Sequence, residues 1–542
     1  MRIVISNELE ITDPMKELEA WILSKEIENP ERDAMKRLGK YYLNIPKTIK
    51  MYYHNRFTNT FFLPRGYLKE LIEKFPDFDI YLEDNTTNGE FIELGNPRIV
   101  LRDYQKEGYE KATREYGGVI VAPAGSGKTV LGISLISKFK RKTVWLCHSN
   151  DLLQQAVETY FNTFPEELNN DNSIGTISGG KYELHEDNKV IFALVQSLQN
   201  NTNVITSLLK DVGLVILDEA HHVPSETFSR VIKQFKAKTL IGLTATPERK
   251  DGLTELIEAF IGPEIIAVDR ADLYLNNKLI IPKLVPVYTD FFSNLSFDSQ
   301  DSGYHAITGE LYNDYNRAVL CANYILEYSK FGLVIVLSDN IKYAHKVKSL
   351  LESNAKKTGK KVELIHGGIS QYKTIKCTRG KYNLMIMQGL PVSRYVDGKT
   401  KLRQYTDEEY AQIKCNKAKR EKVIEEAKQG KIDILFATKL ADEGLDIPII
   451  TTVALISPCK GDESGTKNGS RLEQRVGRGM RPALGKSRAF ILDFVDYNSG
   501  IFKSQWYTRR RTYTRLGIQV PDKPRSISGC LQTENLFNDF EI

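Results

Sequence analysis

The chain has 542 residues, of which 41% are hydrophobic and 27% are charged. This composition is close to the average of globular proteins and excludes a wholly disordered chain or a collagen-like fibre. The length predicts about three to four domains. The 75 basic and 69 acidic residues leave a net charge of +6, which is too small over this length to prove a polyanionic partner.

The sequence carries no sign of export. No apolar run approaches the roughly 18 residues of a membrane-spanning helix, and the first residues lack the basic-then-apolar pattern of a signal peptide. The six cysteines are scattered without a CxxC pair, which argues against a disulfide framework or a zinc ribbon. We therefore expect a cytoplasmic protein that contacts no membrane.

Residues 1–95 are predicted to form a small N-terminal accessory domain. Its segment 34–69 contains eight Lys or Arg, eight aromatic residues and no Asp or Glu. Basic side chains attract phosphates, and aromatic rings can stack on unpaired bases, so the segment is a candidate DNA-binding surface. The rings could instead form the core of a small β-domain. Both interpretations stay open.

Residues 96–268 repeat a strand–helix pattern that is typical of a parallel sheet covered by helices, and thus of an α/β fold. The predicted strands are rich in Val, Ile and Leu with little alternation, as expected for strands buried on both faces. They are GVIVAP (118–123), TVWLCH (143–148), VIFALVQ (190–196), LVILDE (214–219) and TLIGLTA (239–245).

A glycine-rich string, APAGSGKT, follows the first of these strands and precedes an apolar helical segment. In that context backbone N–H groups can surround phosphate oxygens at the positive end of a helix. Lys128 would reach the β- and γ-phosphates of a nucleotide, and Thr129 would bind Mg²⁺. Ala122 replaces the first Gly of the strict pattern. The loop residues expected to bind ATP are Ala124, Gly125, Ser126 and Gly127.

Asp218 and Glu219 follow the fourth predicted strand. Carboxylates at the carboxyl end of a buried parallel strand face the ligand crevice of an α/β sheet. Asp218 can hold Mg²⁺, largely through water, and Glu219 can orient or deprotonate the attacking water. Alone, the pair could equally be a helix N-terminal acid pair; after a phosphate-binding loop the catalytic interpretation is favoured.

The second half of the chain repeats the strand–helix pattern. Residues 269–315 are predicted to be a linker, 316–500 a second α/β domain with an insertion at 371–418, and 501–542 a basic tail containing RRRTYTR. The insertion carries ten Lys or Arg against four acids. The predicted strands are LVIVLS (333–338), VELIHG (362–367), DILFAT (433–438), TTVALIS (451–457) and AFILDF (489–494).

The string QRVGRGMR places Arg475, Arg478 and Arg481 at three-residue spacing, along one side of a helix. Because Gly477 and Gly479 interrupt it, a short helical turn is expected rather than a long helix. Three guanidinium groups on one side would repel one another unless they meet an anion such as phosphate. A solvated basic face is the alternative.

Six strings occur in an order that resembles superfamily 2 helicases. They are LRDYQ, APAGSGKT, DEAHH, GLTATPERKDG, ATKLADEGLDIP and QRVGRGMRP, within residues 97–495. The combination of DEAHH with TATP, Arg249 and Asp251 is most similar to the DNA-repair and phage branch, which includes the xeroderma pigmentosum group B helicase, RadD and UvsW-type phage proteins. The resemblance implies two tandem RecA-like domains.

The resemblance also implies roles for residues outside the phosphate-binding loop. Gln105 corresponds to the adenine-reading glutamine, Thr244 and Thr246 to the hydroxyl pair that couples hydrolysis to domain movement, and Gly444 and Asp446 to a motif that touches nucleotide and DNA. Gln474, Arg478 and Arg481 belong to the last motif, in which the two arginines are the fingers that stabilise charge on the transferring phosphoryl group.

The implied function is that of an ATP-dependent DNA helicase or translocase of the DEAH type, using ATP and Mg²⁺. The expected substrate is forked, branched or single-stranded DNA in replication, recombination or repair, with other replication or recombination proteins as candidate partners. A phage-encoded protein would act in the host cytoplasm. An RNA helicase, the motor subunit of a restriction system and a catalytically silent nucleic-acid scaffold remain alternatives.

Overall fold

The structure is a computed structural model of the chain. It divides into two compact units, which we call the first unit (Met1–Leu279 with Asp462–Gly477) and the second unit (Ile280–Gly461 with Arg478–Ile542). The residues that it describes are 2–29, 32, 35–36, 39, 41–112, 117–123, 125–199, 211–222, 226–245, 254–268, 273, 279–293, 295, 301–367, 372–376, 378–387, 392, 399–403, 406–413, 415, 417–438, 445, 447–461 and 471–522.

The first unit begins with a small sheet. Its elements are β1 (Arg2–Ile5), β2 (Glu8–Thr12), α1 (Lys16–Leu23), β3 (Glu26–Glu28), β4 (Thr48–Lys50), β5 (Tyr53–Asn55), β6 (Thr60–Pro64), α2 (Leu68–Lys74) and β7 (Tyr81–Asp84). Five strands pair in the order β5-β6-β2-β1-β7, whereas β3 and β4 pair with each other. The apolar faces of β1, β2, β6 and α1 bury Trp21 and Phe61 in one core.

The remainder of the first unit is a larger α/β sheet. Its elements are α3 (Asp103–Ala112), β8 (Gly117–Val121), α4 (Lys128–Phe139), β9 (Thr143–Cys147), α5 (Asn150–Thr163), β10 (Ile174–Ser178), β11 (Lys181–Glu183), β12 (Val190–Leu194), α6 (Val195–Gln199), β13 (Leu214–Asp218), α7 (Glu226–Ile232), β14 (Thr239–Thr244), α8 (Thr254–Ile261) and β15 (Glu264–Ala267). The strand order is β11-β10-β12-β9-β13-β14-β8-β15. Every neighbouring pair is parallel except β10–β11.

The second unit contains a six-stranded parallel sheet in the order β16-β23-β22-β17-β21-β18. From Lys283 onwards the elements are β16 (Lys283–Tyr288), α9 (Asp301–Asn313), α10 (Tyr315–Tyr328), β17 (Leu333–Leu337), α11 (Ile341–Lys357), β18 (Val362–Ile365), β19 (Tyr372–Lys376), α12 (Arg379–Met387), β20 (Lys399–Arg403), α13 (Asp407–Ile413), α14 (Lys417–Lys428), β21 (Ile434–Ala437), β22 (Ile450–Leu455), α15 (Arg471–Met480), β23 (Phe490–Val495) and α16 (Gly500–Arg515).

The α/β prediction is confirmed, because all ten predicted strands overlap observed parallel strands. Two segments differ from prediction. Part of the expected linker 269–315 is β16, an edge strand whose Pro286 stands opposite Asp493 of β23; an edge position tolerates the missing N–H of proline. Part of the expected basic tail is α16, which buries Phe502, Trp506 and Tyr513.

Within the insertion 371–418, β19 and β20 form an antiparallel pair of their own. Among the described residues, no helix is long and apolar enough to cross a membrane.

Candidate active site

Three neighbouring strands of the first unit end at the predicted site residues. The phosphate-binding loop follows β8, Thr244 ends β14 and Asp218 ends β13. These strands are adjacent in the order β13-β14-β8, and the N–H of Ala122 donates to the carbonyl of Thr244 over 2.9 Å. Because carboxyl ends of parallel strands open onto one crevice, segments as far apart in the sequence as Ala122 and Thr244 form one site.

The phosphate-binding loop has the backbone of an anion cradle. Gly125 and Gly127 have φ values of 82° and 92°, a left-handed region that glycine enters without steric cost. Helix α4 begins at Lys128, so its unsatisfied N–H groups point into the loop. Lys128 Nζ donates to the carbonyl of Ala122 over 3.2 Å. The hydroxyl of Ser126 is buried and has no hydrogen-bond partner among the described residues.

Gln105 holds the phosphate-binding loop from behind. Its Nε2 donates to the carbonyl of Gly127 over 3.0 Å, and its Oε1 accepts from the N–H of Arg102 over 2.8 Å. Arg102 also donates to the carbonyl of Ser126 over 3.1 Å, and the hydroxyl of Tyr104 donates to the same oxygen. The carboxamide predicted to read adenine thus makes one hydrogen bond with its nitrogen and one with its oxygen inside the protein. Sequence reasoning missed Arg102 and Tyr104, although both lie in LRDYQ.

The acidic pair lies at the end of β13 in a constrained conformation. Asp218 is only 3% exposed, and its Oδ1 accepts from the N–H of Glu219 over 3.0 Å. Glu219 has a φ of 53°, one of few described non-glycine residues in the left-handed region. Such a conformation costs about 1–3 kcal/mol and persists only where the surroundings hold it in place, often at functional sites.

The two carboxyl groups differ in their affinity for a proton. Burial, followed by the negative charge of Glu219, raises the pKa of Asp218 to about 7. Burial acts in the same direction on Glu219, but Lys128 and His221 outweigh it and hold the pKa of Glu219 well below its usual value. At neutral pH Glu219 is therefore the ionised carboxylate of the pair, whereas Asp218 is only partly ionised until a further cation at the site lowers its pKa.

His221 joins the acidic pair to the end of β14. Its Nδ1 lies 3.3 Å from Glu219 Oε2 and 3.3 Å from Thr244 Oγ1. The ring of His222 packs on it with centroids 4.3 Å apart, and His148 packs on His222 at 4.1 Å. The sequence alone does not show this contact, because DEAHH and TATP are separate strings and the two residues lie 23 positions apart. Thr246 and Ala124 lie outside the described residues.

Helix α15 carries the last predicted motif. It runs over ten residues, so the expectation of a short helical turn is wrong. Gln474 and Arg478 are four residues apart and share one face, and the Arg478 guanidinium donates to the carbonyl of Leu445. A larger residue would be crowded at position 479, since an added Cβ would lie 3.1 Å from the side chain of Val453. The close packing on β22 that Gly479 allows offsets the low helix propensity of glycine.

Arg481 follows the last residue of α15, and the side chain of Lys486 binds the backbone carbonyls at this end of the helix. Lys486 Nζ donates to the carbonyls of Gly479 and Arg481, both over 2.7 Å, and to that of Pro448 over 3.2 Å. Burial lowers the pKa of Arg481 to about 10; burial, followed by the charge of Arg481, lowers that of Lys486 to about 7. Sequence reasoning missed Lys486. Gly444 and Asp446 lie outside the described residues.

Comparisons with known proteins agree with this geometry. The family model of the type III restriction enzyme res subunit matches residues 98–249, which contain the phosphate-binding loop and the acidic pair. The model of the helicase conserved C-terminal domain matches residues 392–483, which contain α15. Both models agree with the resemblance of the sequence motifs to superfamily 2 helicases. The predicted family and the predicted pair of tandem RecA-like domains are confirmed, and the helicase is an ATP-hydrolysing enzyme.

Curated relatives cover most of this helicase. Helicase 22 of Sulfolobus islandicus filamentous virus is 26% identical over 77% of this chain and 68% of its own. The DNA 3'-5' translocase XPB2 of Sulfurisphaera tokodaii is 25% identical over 82% of this chain and 91% of its own. The ATP-dependent RNA helicase L396 of Acanthamoeba polyphaga mimivirus is 23% identical over 87% and 76%.

Proposed function

We propose that this helicase is an ATP-dependent DNA translocase that acts on forked or branched DNA in replication, recombination or repair. The observation that carries the ATPase part is the convergence of Lys128, Asp218 and Glu219 at the ends of neighbouring strands. The DNA part is supported by the similarity to a relative named as a DNA 3'-5' translocase. The viral relative supports a viral origin, and hence action in a host cytoplasm.

The residues of the first unit fit a magnesium-bound nucleotide. The glycine-rich loop and the start of α4 offer N–H groups to phosphate, with Lys128 as the cation for the β- and γ-phosphates. Thr129 and Asp218 would hold Mg²⁺, and the raised pKa of Asp218 marks a buried carboxylate that a cation would stabilise. When bound, Mg²⁺ neutralises charge on the phosphates.

Glu219 is assigned the role of orienting the attacking water and accepting its proton. Its low pKa keeps it ionised at neutral pH, and the contact with His221 fixes its carboxylate. His221 also contacts Thr244. A displacement of Glu219 on hydrolysis would therefore move His221 and, through it, the end of β14. Thr244, together with Thr246, is therefore assigned the coupling of hydrolysis to domain movement.

The last motif is assigned to the charge that develops on the γ-phosphoryl group. Arg478 and Arg481 are the proposed arginine fingers, with Gln474 on the same helical face as Arg478. Gly444 and Asp446 are proposed to touch nucleotide and DNA. Cycles of ATP binding and hydrolysis would then alternate the domain arrangement and move the protein along a strand.

The test is a comparison of ATP hydrolysis with different polynucleotides. We expect forked DNA and single-stranded DNA to raise turnover more than RNA of equal length. RNA stimulation equal to or above that of DNA would contradict the DNA assignment and favour the RNA helicase, a function named for the mimivirus relative. Glu219→Gln controls for contaminating ATPases. The second alternative is the motor subunit of a restriction system, which the name of the matching family model suggests. Such a motor would need a nuclease partner to cut DNA.

A further inference from the structure

Helix α16 carries an unusual charge pattern. Its 16 residues contain one Lys and four Arg and no Asp or Glu. A surface helix normally pairs a cation with an acid three or four residues away, and like charges at that spacing are destabilising. The helix follows β23, and none of the residues assigned above to ATP hydrolysis lies on it.

One face of α16 is structural. Phe502, Trp506 and Tyr513 are buried. Arg509 is also buried, and its guanidinium donates to Asp493 Oδ2 over 2.8 Å and to the carbonyl of Cys459 over 2.7 Å. The Tyr513 hydroxyl donates to the same carboxylate oxygen over 2.7 Å. Asp493 therefore neutralises Arg509, and these contacts fix the rotation of the helix about its axis.

The opposite face is basic and open. Tyr507, Arg511, Thr514 and Arg515 are exposed, and Arg510 is half-buried. Neither Arg510 nor Arg511 forms an ion pair with an acid among the described residues. A shallow groove on this face contains no carboxylate; it is lined by Ser504, Tyr507, Arg510, Arg511, Thr514 and Arg515.

We propose that this face, which we call the α16 basic face (Lys503, Tyr507, Arg510, Arg511 and Arg515), binds the phosphodiester backbone of the DNA on which the helicase acts. Guanidinium groups present a planar fork that matches phosphate oxygens, and the hydroxyls of Ser504 and Thr514 add donors along the same groove. The proposal rests on the DNA translocase function proposed above.

The length of the basic face favours an extended polyanion over a single nucleotide. From Lys503 to Arg515 the helix rises about 18 Å at 1.5 Å per residue. One DNA strand carries a phosphate about every 3.4 Å along its axis, so the face spans about five phosphates. The ring of Tyr507, whose hydroxyl lies 2.9 Å from that of Tyr497, gives the groove an aromatic wall on which a base can stack.

The experiment compares the full-length parent with Arg510→Gln/Arg511→Gln, and with Arg511→Gln alone in case the half-buried Arg510 is needed for folding. Lys356→Gln/Lys357→Gln removes the same charge from the exposed end of α11 and serves as the matched control. Binding to a fluorescent forked DNA is measured by anisotropy across a series of salt concentrations. Basal ATP hydrolysis without DNA reports that each variant is folded.

We expect the double variant to reduce the slope of log affinity against log salt by about 1.4 to 1.8, which is about 0.7 to 0.9 for each lost phosphate contact. The single variant should lose about half as much, and the control nothing. If the slope is unchanged in both variants while DNA still stimulates the ATPase of the parent, the α16 basic face does not bind DNA. This result would overturn the proposal but not the DNA translocase function, and the face would then bind another acidic partner. A parent that binds no DNA and shows no stimulation overturns the proposed function as well.

Discussion

The backbone conformation and the low pKa of Glu219 both suit its proposed role as the general base. Its backbone is held at a φ of 53°, and Lys128, together with the contact of its carboxylate with His221, holds its pKa well below the usual value. Removing the positive charge of Lys128 takes away the cation that is proposed to contact phosphate, and it raises the pKa of Glu219. Replacing Glu219 by Gln keeps its shape but removes the proton acceptor.

We therefore predict different defects for Lys128→Ala and Glu219→Gln. Both should lower DNA-stimulated ATP hydrolysis by at least about 100-fold. Glu219→Gln removes a positioned general base, which contributes about 10² to 10⁴, and Lys128→Ala removes a cation placed to stabilise charge on the phosphates. Lys128→Ala should also weaken nucleotide binding, whereas Glu219→Gln should leave it nearly unchanged. Steady-state turnover and binding of a fluorescent ATP analogue give the two readouts. Turnover near the parent rate in either variant would refute the assignment of these residues.

Asp218 makes stability depend on pH. Its pKa of about 7 in the folded protein lies above the ordinary value of 3.8, so the folded state binds the proton more tightly. The stabilisation that this gives is complete below about pH 4 and is lost as the pH rises through 7, at up to about 1.4 kcal/mol per pH unit.

We predict that, without Mg²⁺, the urea midpoint of the parent falls relative to that of Asp218→Asn between pH 5 and 8. Mg²⁺ with nucleotide should reverse the fall, because it stabilises the carboxylate. Parallel midpoints for the two proteins across this range would show that the Asp218 carboxyl group titrates as an ordinary acid.

At the scale of elements, the end of α15 depends on one lysine. Lys486 joins the carbonyls of Gly479 and Arg481 to that of Pro448, and so positions the proposed finger Arg481. We predict that Arg481→Ala slows ATP hydrolysis by about 10³-fold or more. Lys486→Met should lower kcat by about tenfold with little change in KM, and Lys486→Arg should restore only part of the activity, since its guanidinium donates hydrogen bonds but is planar.

Rapid-quench measurements of ATP hydrolysis compare the three variants. Hydrolysis by Lys486→Met at the parent rate would show that Arg481 is held by other contacts. If Arg481→Ala hydrolyses normally while DNA affinity falls, the arginine binds DNA phosphate rather than the γ-phosphoryl group.

In the N-terminal sheet, the basic side chains of segment 34–69 divide into two kinds. Arg65 is buried and donates to the carbonyls of Ala237 and Lys238, so it connects this sheet to the rest of the first unit and is not available to phosphate. Lys47 and Arg56 are exposed. Phe61 belongs to the core, whereas Phe57 is fully exposed. Both interpretations of this segment are thus represented in the structure.

We predict that Lys47→Gln/Arg56→Gln raises the concentration of forked DNA needed for half-maximal ATPase stimulation, and reduces its salt dependence by about 0.7 to 0.9 per contact. Basal turnover should persist. Lys16→Gln/Lys74→Gln, exposed on the same domain, is the charge-matched control. If only Phe61→Ala has an effect, through loss of folding, the segment is a scaffold and not a DNA grip.

The parallel strands could be predicted because each is a short run rich in apolar residues with little alternation, as expected for strands that are buried on both faces. The phosphate-binding loop and the acidic pair were found because their residues are contiguous. His221 and Thr244 were not connected, since their contact joins separate loops that only the sheet brings together. The packing of α16 was missed for the same reason: Arg509 reads as a solvated charge until β23 supplies Asp493, 16 residues upstream.

The whole molecule combines an ATPase site in the first unit with candidate DNA contacts in the N-terminal sheet and on α16. We therefore expect ATP hydrolysis to move the protein along DNA, and not only to occur while the protein is bound to DNA. Hydrolysis alone does not distinguish a translocase from an ATPase that remains in one place.

Displacement of a third strand from a DNA triplex measures movement directly, because a motor that runs along the duplex removes that strand. We predict ATP-dependent displacement by the parent from triplexes attached to forked DNA, and none by Glu219→Gln, which should still bind DNA and ATP. A parent that binds the fork and hydrolyses ATP, yet never displaces the third strand, would contradict the central claim that this helicase translocates on DNA.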